Sequence, residues 1–343
     1  MTYSSSVTGS GVVSRPRIGL LGCGHVGDVH RQRLLAESVD ITAICDPDSD
    51  SLASMAARLP RRPKLFRSEM DLLNSEGLVD AVVVCTPHGT HERQIRAALE
   101  AGVHVLCEKP FVTESAKATA LVAEARRKGL ALFVSYTRRS RGHARFLIAA
   151  AERIGPLKRV VITRAQPWLE MNQRTWRMHL SEGGGFLMDA GASMLDLLLR
   201  LTQGATLWHL DAELTRAHGE YDADVEASLR LEFTGGDLRA NLVLLGDTTE
   251  RVERIQIFGE NGSAGWALRE DMPHDLYVRP LGGPSETGDP ALYRIPEPDA
   301  AFVAALRSGR SFGADTAPDL YDAASALPVV ALVERIYQEA VWR

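Results

Sequence analysis

Gly22-Cys23-Gly24-His25-Val26-Gly27 is a residue pattern suited to holding a pyrophosphate against main-chain amides. The first glycine permits a tight turn, the second lets the backbone approach a phosphate, and the third lets the following helix pack closely. The helix N-terminus then favours the negative charge. Asp46 ends the next apolar run, 19 residues beyond Gly27, where a carboxylate can accept from the hydroxyls of an adenosine ribose. That carboxylate repels the extra phosphate of NADP, and no arginine follows within ten residues, so the expected cofactor is NAD. The same aspartate could instead cap the turn Asp46-Pro47-Asp48.

These residues need a scaffold that alternates strands with helices, and the chain supplies one. Short apolar runs at 18–22, 41–45, 81–85, 103–107 and 131–136 are separated by longer amphipathic stretches, the pattern of buried parallel strands with crossover helices. Near Gly155-Pro156 the pattern changes. Two-residue alternation at 225–233 and 238–245, joined by Thr234-Gly235-Gly236-Asp237, predicts an antiparallel hairpin in a larger sheet. A long helix is expected over 186–201, an irregular excursion over 280–299, and closing helices over 300–307 and 320–341. The expected organisation is α/β. A disordered tail over 1–15 precedes a doubly wound parallel Rossmann sheet over 16–136. An α/β domain over 137–343 follows, with a large, mostly antiparallel open sheet and closing helices free to pack back on the first domain.

With 343 residues, 45% of them hydrophobic and 24% charged, the composition is that of a globular chain. Thirty-nine basic against 44 acidic side chains give the wrong net sign for a general nucleic-acid binder. No apolar run is long enough for a membrane span, and the first 15 residues lack a signal-peptide core, so a cytoplasmic location is expected. Cys23, Cys45, Cys85 and Cys107 follow no metal-ligand spacing and read as reduced, mostly buried thiols, with no metal expected.

Three further motifs carry a family resemblance: Cys85-Thr86-Pro87-His88-Gly89-Thr90-His91, Glu108-Lys109-Pro110, and Gly183-Gly184-Gly185-Phe186-Leu187-Met188-Asp189-Ala190-Gly191. In this order, behind the glycine motif, they resemble the glucose-fructose oxidoreductase, inositol dehydrogenase and MocA (Gfo/Idh/MocA) superfamily. The resemblance implies a Rossmann domain, an oligomerising open sheet, and NAD(P)-dependent oxidation or reduction of a sugar or cyclitol. It places Gly22, Cys23, Gly24, His25, Val26, Gly27, Asp46, Thr86, Pro87, His88, His91, Glu108, Lys109, Trp176 and Arg177 at the cofactor. Lys109, Tyr136, Arg177, His179, Asp189 and Ser193 fall at the substrate. It also implies a cis peptide between Lys109 and Pro110, and it matches Arg138-Arg139 to an arginine motif after the last Rossmann strand.

One departure stands out. The family pattern after the glycines is Asp-x-Gly-x-His with the histidine as general base, and here that position is Ser193. A serine hydroxyl does not titrate near neutral pH and cannot replace imidazole. Lys109 is then the expected acid/base, since desolvation beside a cationic nicotinamide suits an amine to proton transfer, with Asp189 orienting the substrate hydroxyl or relaying the proton. Asp189, Ser193, Asp196 and Arg200 fall at helical spacings, and Asp196 with Arg200 suits an ion pair. Turnover of a sugar, glycoside, inositol or aminocyclitol is the leading expectation. A silent NAD-binding sensor and an NAD-assisted glycosidase are the alternatives. An acidic excess beyond residue 135 suits a cationic amino sugar. A homodimer or homotetramer through the second sheet is expected from the alternation of Val225, Ala227, Leu229 and Leu231 with Glu226, Ser228 and Arg230.

Overall fold

The structure, a computed structural model, describes residues 15–203, 205–234, 237–269, 272–308, 312 and 320–343. The expected tail falls, apart from Arg15, outside them, as do Gly235 and Gly236 of the hairpin turn.

Six parallel strands form the first sheet: β1 (Arg17–Leu21), β2 (Asp40–Cys45), β3 (Lys64–Phe66), β4 (Ala81–Val84), β5 (His104–Glu108) and β6 (Leu132–Ser135), in the order β3-β2-β1-β4-β5-β6. The Val- and Ile-rich runs are buried because helices cover both faces. Those helices include α1 (His25–Ala36), α2 (Ser49–Ala57), α3 (Glu69–Leu73), α4 (His91–Glu100) and α5 (Ser115–Lys128). The strand order reverses between β1 and β4, which opens a crevice at their carboxyl ends. The edge strand β3 has only three residues, too few for any periodicity to reveal it in the sequence.

Beyond α6 (Gly142–Arg153) lies a nine-stranded sheet. Its strands are β7 (Leu157–Ala165), β8 (Leu207–Arg216), β9 (Asp224–Phe233), β10 (Arg239–Leu245), β11 (Val252–Gly259), β12 (Gly262–Arg269), β13 (Met272–Pro280), β14 (Glu286–Thr287) and β15 (Val341–Trp342). Most pairings are antiparallel, including the expected hairpin of β9 with β10. Two are parallel, β7 with β10 and β8 with β15. The parallel pairing follows from chain order: between β7 and β8 the chain makes a long excursion that carries α7 (Trp168–Asn172), the glycine run and α8 (Ala192–Leu201).

The sheet's inner face, with Val160, Ile162, Leu242, Leu244, Ile255 and Ile257 fully buried, is covered by α6, and Met194, Leu195 and Leu198 of α8 join the same core. Both closing helices pack back on the first domain. α9 (Pro298–Arg307) lies on α1, where Phe302 and Val303 join Ile18, Leu20 and Phe133 in one core. α10 (Leu327–Glu339) lies between α5 and α8.

Two helices differ from expectation. The segment expected as one helix over 186–201 is a π turn, Leu187–Gly191, that passes into α8, so a single helical period does not run through it. The last helix starts only at Leu327, with Pro328 in its first turn, after the short 3₁₀ turn Ala323–Ala326.

Candidate active site

Between β1 and β4 lies a cleft of about 720 Å³ lined by Gly22, Gly24, His25, Val26, Asp46, Thr86, Pro87, His88, Glu108, Lys109, Trp176 and Arg177, among others. The glycines are explained by what a side chain would meet. Gly22 has φ +97° and a Cβ there would lie 2.7 Å from the Cys85 carbonyl, while a Cβ on Gly27 would lie 2.2 Å from the Gly22 carbonyl. Around Gly24 a Cβ would meet nothing within 4 Å, so the second glycine faces open space where a pyrophosphate fits. One Asp46 oxygen accepts from the Cys23 amide at 2.8 Å and the other from the Asp48 amide at 2.9 Å. Its carboxylate is therefore oriented, caps its own turn and still borders the cleft. These residues fit a dinucleotide with a free adenosine ribose.

Glu108 enters the cleft at the end of β5, and its orientation comes from residues with no motif. Its Oε1 meets His30 Nε2 at 3.0 Å, and His30 Nδ1 meets Asp299 at 2.5 Å. His30 is fully buried on α1, and Asp299 is buried on α9. Burial opposes a charge on the ring, but Asp299 and Glu108 outweigh it and push His30 up to about 9. Burial would likewise raise Glu108, and His30 with Lys109 holds it down at about 2.

Lys109 is the pivot. Its peptide with Pro110 is cis. Its Nζ donates to the Asp189 main-chain carbonyl at 2.7 Å and to Asp189 Oδ1 at 3.0 Å. Asp189 Oδ2 accepts from Trp168 Nε1 at 2.8 Å and from Arg177 Nε at 3.1 Å. Burial acts against the Asp189 carboxylate, but Lys109 and Arg177 dominate and hold it well below the usual carboxylate range. It is held as an ionised carboxylate between Lys109, Trp168 and Arg177.

The glycine run lets Asp189 arrive there. A Cβ on Gly184 would lie 2.2 Å from the Arg177 carbonyl, and Gly185, at φ +106°, would put one 2.2 Å from Asp224 Oδ1. Asp224, buried, accepts from the Leu187 amide at 2.7 Å and the Tyr337 hydroxyl at 2.6 Å, which starts the π turn bearing Asp189. Burial pushes Asp224 up to about 6.

On the far side of Lys109 and Asp189 lies a second cavity of about 710 Å³. Lys109, Asp189 and Gln166 line both spaces. Tyr136 and Ser193, expected at the substrate, border this second cavity. The Tyr136 hydroxyl is buried without a hydrogen-bond partner among the described residues, and Ser193 Oγ donates to the Ala190 carbonyl at 2.9 Å. Arg138, Arg141, Arg164 and Arg294 also line the cavity, so its charge is opposite to the acidic excess that suggested a cationic substrate.

Several expected residues lie elsewhere. His91 is fully buried outside both cavities, its ring nitrogens 3.0 Å from the Pro110 and Thr86 carbonyls, and it ties two strand-end loops together instead of touching cofactor. His179 is exposed, packs edge-on to Tyr221 and borders neither cavity. Arg177 borders the cofactor cleft alone, and the Cys23 side chain turns into the core. His88 does border the cleft. Burial holds its ring down at about 3, so the neutral ring donates from Nδ1 to the Gly183 carbonyl at 2.8 Å. Asp196 does meet Arg200, at 3.5 Å, yet its closer partner is the buried Arg139, at 2.6 Å. The four cysteines are free, with Cys23, Cys45 and Cys107 buried and Cys85 partly so. Among the described residues no cluster suits a metal ion, and no helix is long and apolar enough to cross a membrane. His30, Gln166, Trp168, Arg164, Glu253 and Asp299 had no sequence signal, because each meets its partner only through the fold.

A Rossmann cleft thus meets a polar cavity across one clamped lysine. The chain belongs to the Gfo/Idh/MocA oxidoreductase family. Residues 16–136 match its NAD-binding Rossmann fold and residues 143–265 its C-terminal domain. It is 30% identical to the rhizopine catabolism protein MocA of Rhizobium meliloti over 74% of this chain and 78% of that one. It is 35% identical to a UDP-N-acetylglucosamine 3-dehydrogenase of Acidithiobacillus ferrooxidans, in an alignment spanning 41% of this chain and 46% of that protein. The chain thus aligns with less than half the length of that relative. The solved structure of the Acidithiobacillus ferrooxidans enzyme superposes with a TM-score of 0.74 at 25% identity, over 95% of this chain and 98% of that one.

Proposed function

We propose that the protein transfers hydride between NAD and a secondary alcohol or ketone of a sugar or polyol, with Lys109 as the acid/base. The observation that carries this reading is that Lys109 borders both the dinucleotide cleft and the polar cavity, with Asp189 fixing its amine where they meet. NAD, when bound, accepts or supplies the hydride. The glycine motif would hold its pyrophosphate, Asp46 its adenosine ribose and Glu108 its nicotinamide ribose. Lys109, as the neutral amine, takes the hydroxyl proton as the alcohol is oxidised, and as the ammonium returns it on reduction. Asp189 positions that amine and carries no proton. Ser193 and Tyr136 supply hydrogen bonds to hydroxyls. The relatives that act on sugar and cyclitol alcohols support the substrate class.

The four cysteines without disulfides suit the reducing cytoplasm. Outward-facing Val243 and Phe258 on the second sheet, 40% and 37% exposed, suit a homo-oligomer through that face. Incubating the protein with NAD or NADH and a panel of polyols and ketosugars, and following cofactor absorbance, tests the activity. Cofactor turnover with at least one member is expected; NAD binding without turnover across the panel replaces the enzyme with a sensor. Light scattering at micromolar concentration tests the assembly, and a monomer refutes it.

A further inference from the structure

We infer that the substrate of this site carries a negatively charged group, a carboxylate or a phosphate, received by arginines in the cavity beyond Lys109. The inference rests on the reading that this cavity holds the substrate. Five cationic side chains line it, Lys109, Arg138, Arg141, Arg164 and Arg294, against two carboxylates, Asp189 and Glu253. Asp189 is already taken by Lys109 and Arg177.

Glu253 serves two guanidiniums at once. Arg138 grips it with both terminal nitrogens, one at 2.9 Å, and Arg164 reaches its Oε2 at 2.7 Å. One carboxylate thus offsets one of two largely buried charges. The Nε atoms of Arg138 and Arg164 are buried with no partner among the described residues, and so is the Tyr136 hydroxyl. Burial lowers Arg164 from its usual value, a sign that its charge is not fully compensated. Arg141 and Arg294, at the open side, have no ion pair among the described residues.

Holding positive charge in a part-buried place is unfavourable unless an anion completes it. The guanidinium fork matches a carboxylate or phosphate in two parallel hydrogen bonds, which an ammonium point charge does not. Glu253 holds Arg138, and Glu253 with Gln166 holds Arg164, so these two supply fixed positive charge, while Arg141 and Arg294 present their guanidinium forks to an incoming anion. A cationic amino sugar would meet repulsion in the same space.

The test is calorimetric titration of the NAD-loaded protein with matched probes: glucose, glucosamine, glucuronate, glucose 6-phosphate and UDP-glucose. The last three separate a carboxylate, a monophosphate and a nucleoside diphosphate as the source of the charge. At least one should bind roughly tenfold or more tightly than glucose, and added salt should weaken it. Arg141→Gln with Arg294→Gln should weaken that anion's binding roughly tenfold or more, and by a clearly larger factor than it weakens glucose binding. Tighter binding of glucose or glucosamine than of every anion overturns the inference, and so does an anion whose binding the double variant does not weaken. Parallel absorbance assays keep the two readings apart. Arginine-dependent anion binding without cofactor turnover removes the enzyme reading alone, whereas turnover of glucose with no anion preference removes the anion inference alone.

Discussion

His30 links Asp299 on α9 to Glu108 at the cofactor cleft, and replacing it with glutamine removes the charge while keeping a side chain able to hydrogen-bond. In the wild type, burial disfavours the charged ring, but Asp299 and Glu108 raise it from 6.5 to about 9. At about 1.4 kcal/mol for each pH unit, that preference for the folded state is worth about 3 kcal/mol. The ring is fully buried, so solvent does not screen the pair. Because the folded value lies above the unfolded one, this stabilisation is complete below pH 6.5 and is lost as pH rises through 9. Urea unfolding of wild type and His30→Gln from pH 6 to 10 should therefore show a stability gap of up to about 3 kcal/mol that closes on the alkaline side. The variant should also bind NAD more weakly, since Glu108 loses the partner that aims it. A gap unchanged between pH 6 and 10, or an imidazole that titrates near 6.5 by NMR in the folded protein, would refute the reasoning.

Three further outcomes follow from the site geometry. Lys109→Met should lower the rate of hydride transfer by at least about 10²-fold, with a much smaller loss of NAD affinity, whereas Ser193→Ala should cost far less; steady-state kinetics that reverse this order reject Lys109 as the acid/base. Gly185→Ala forces a Cβ against Asp224 at a positive φ and should reduce stability by roughly 2 kcal/mol or more in urea titration, a forecast sunk by an unchanged midpoint. Asp46→Ala should narrow the preference for NAD over NADP measured by calorimetry, and equal affinities in the unmodified protein would remove the role given to that carboxylate.

Sequence alone was most informative where the backbone itself is constrained. Buried parallel strands need continuous apolar runs, the pyrophosphate turn needs glycines at Gly22, Gly24 and Gly27, and the hairpin of β9 with β10 needs alternation around a turn, so all of these are written in local residue order. Lys109 and Asp189 were legible because they sit beside a proline and a glycine run. Ser193 was legible as a departure from a family pattern. Their roles were less so. Only the fold closes the ion pair between residues 80 positions apart and surrounds Asp189 with Trp168 and Arg177. His91 and His179 carried the same residue type yet ended in the core and at the surface, because burial depends on what packs above a position and not on its spacing. The bond between His30 and Asp299 spans 269 residues and exists only because α9 returns to α1. The sign of the charge beyond Lys109 was set in the same way. The second half of the chain is acidic on balance, but Arg138 and Arg141 from the end of the first sheet, Arg164 on β7 and Arg294 before α9 converge on one cavity. Electrostatic potential in a cavity depends on distances of a few ångströms, and such distances between remote segments are set by sheet register and helix packing, neither of which a linear count of charges contains.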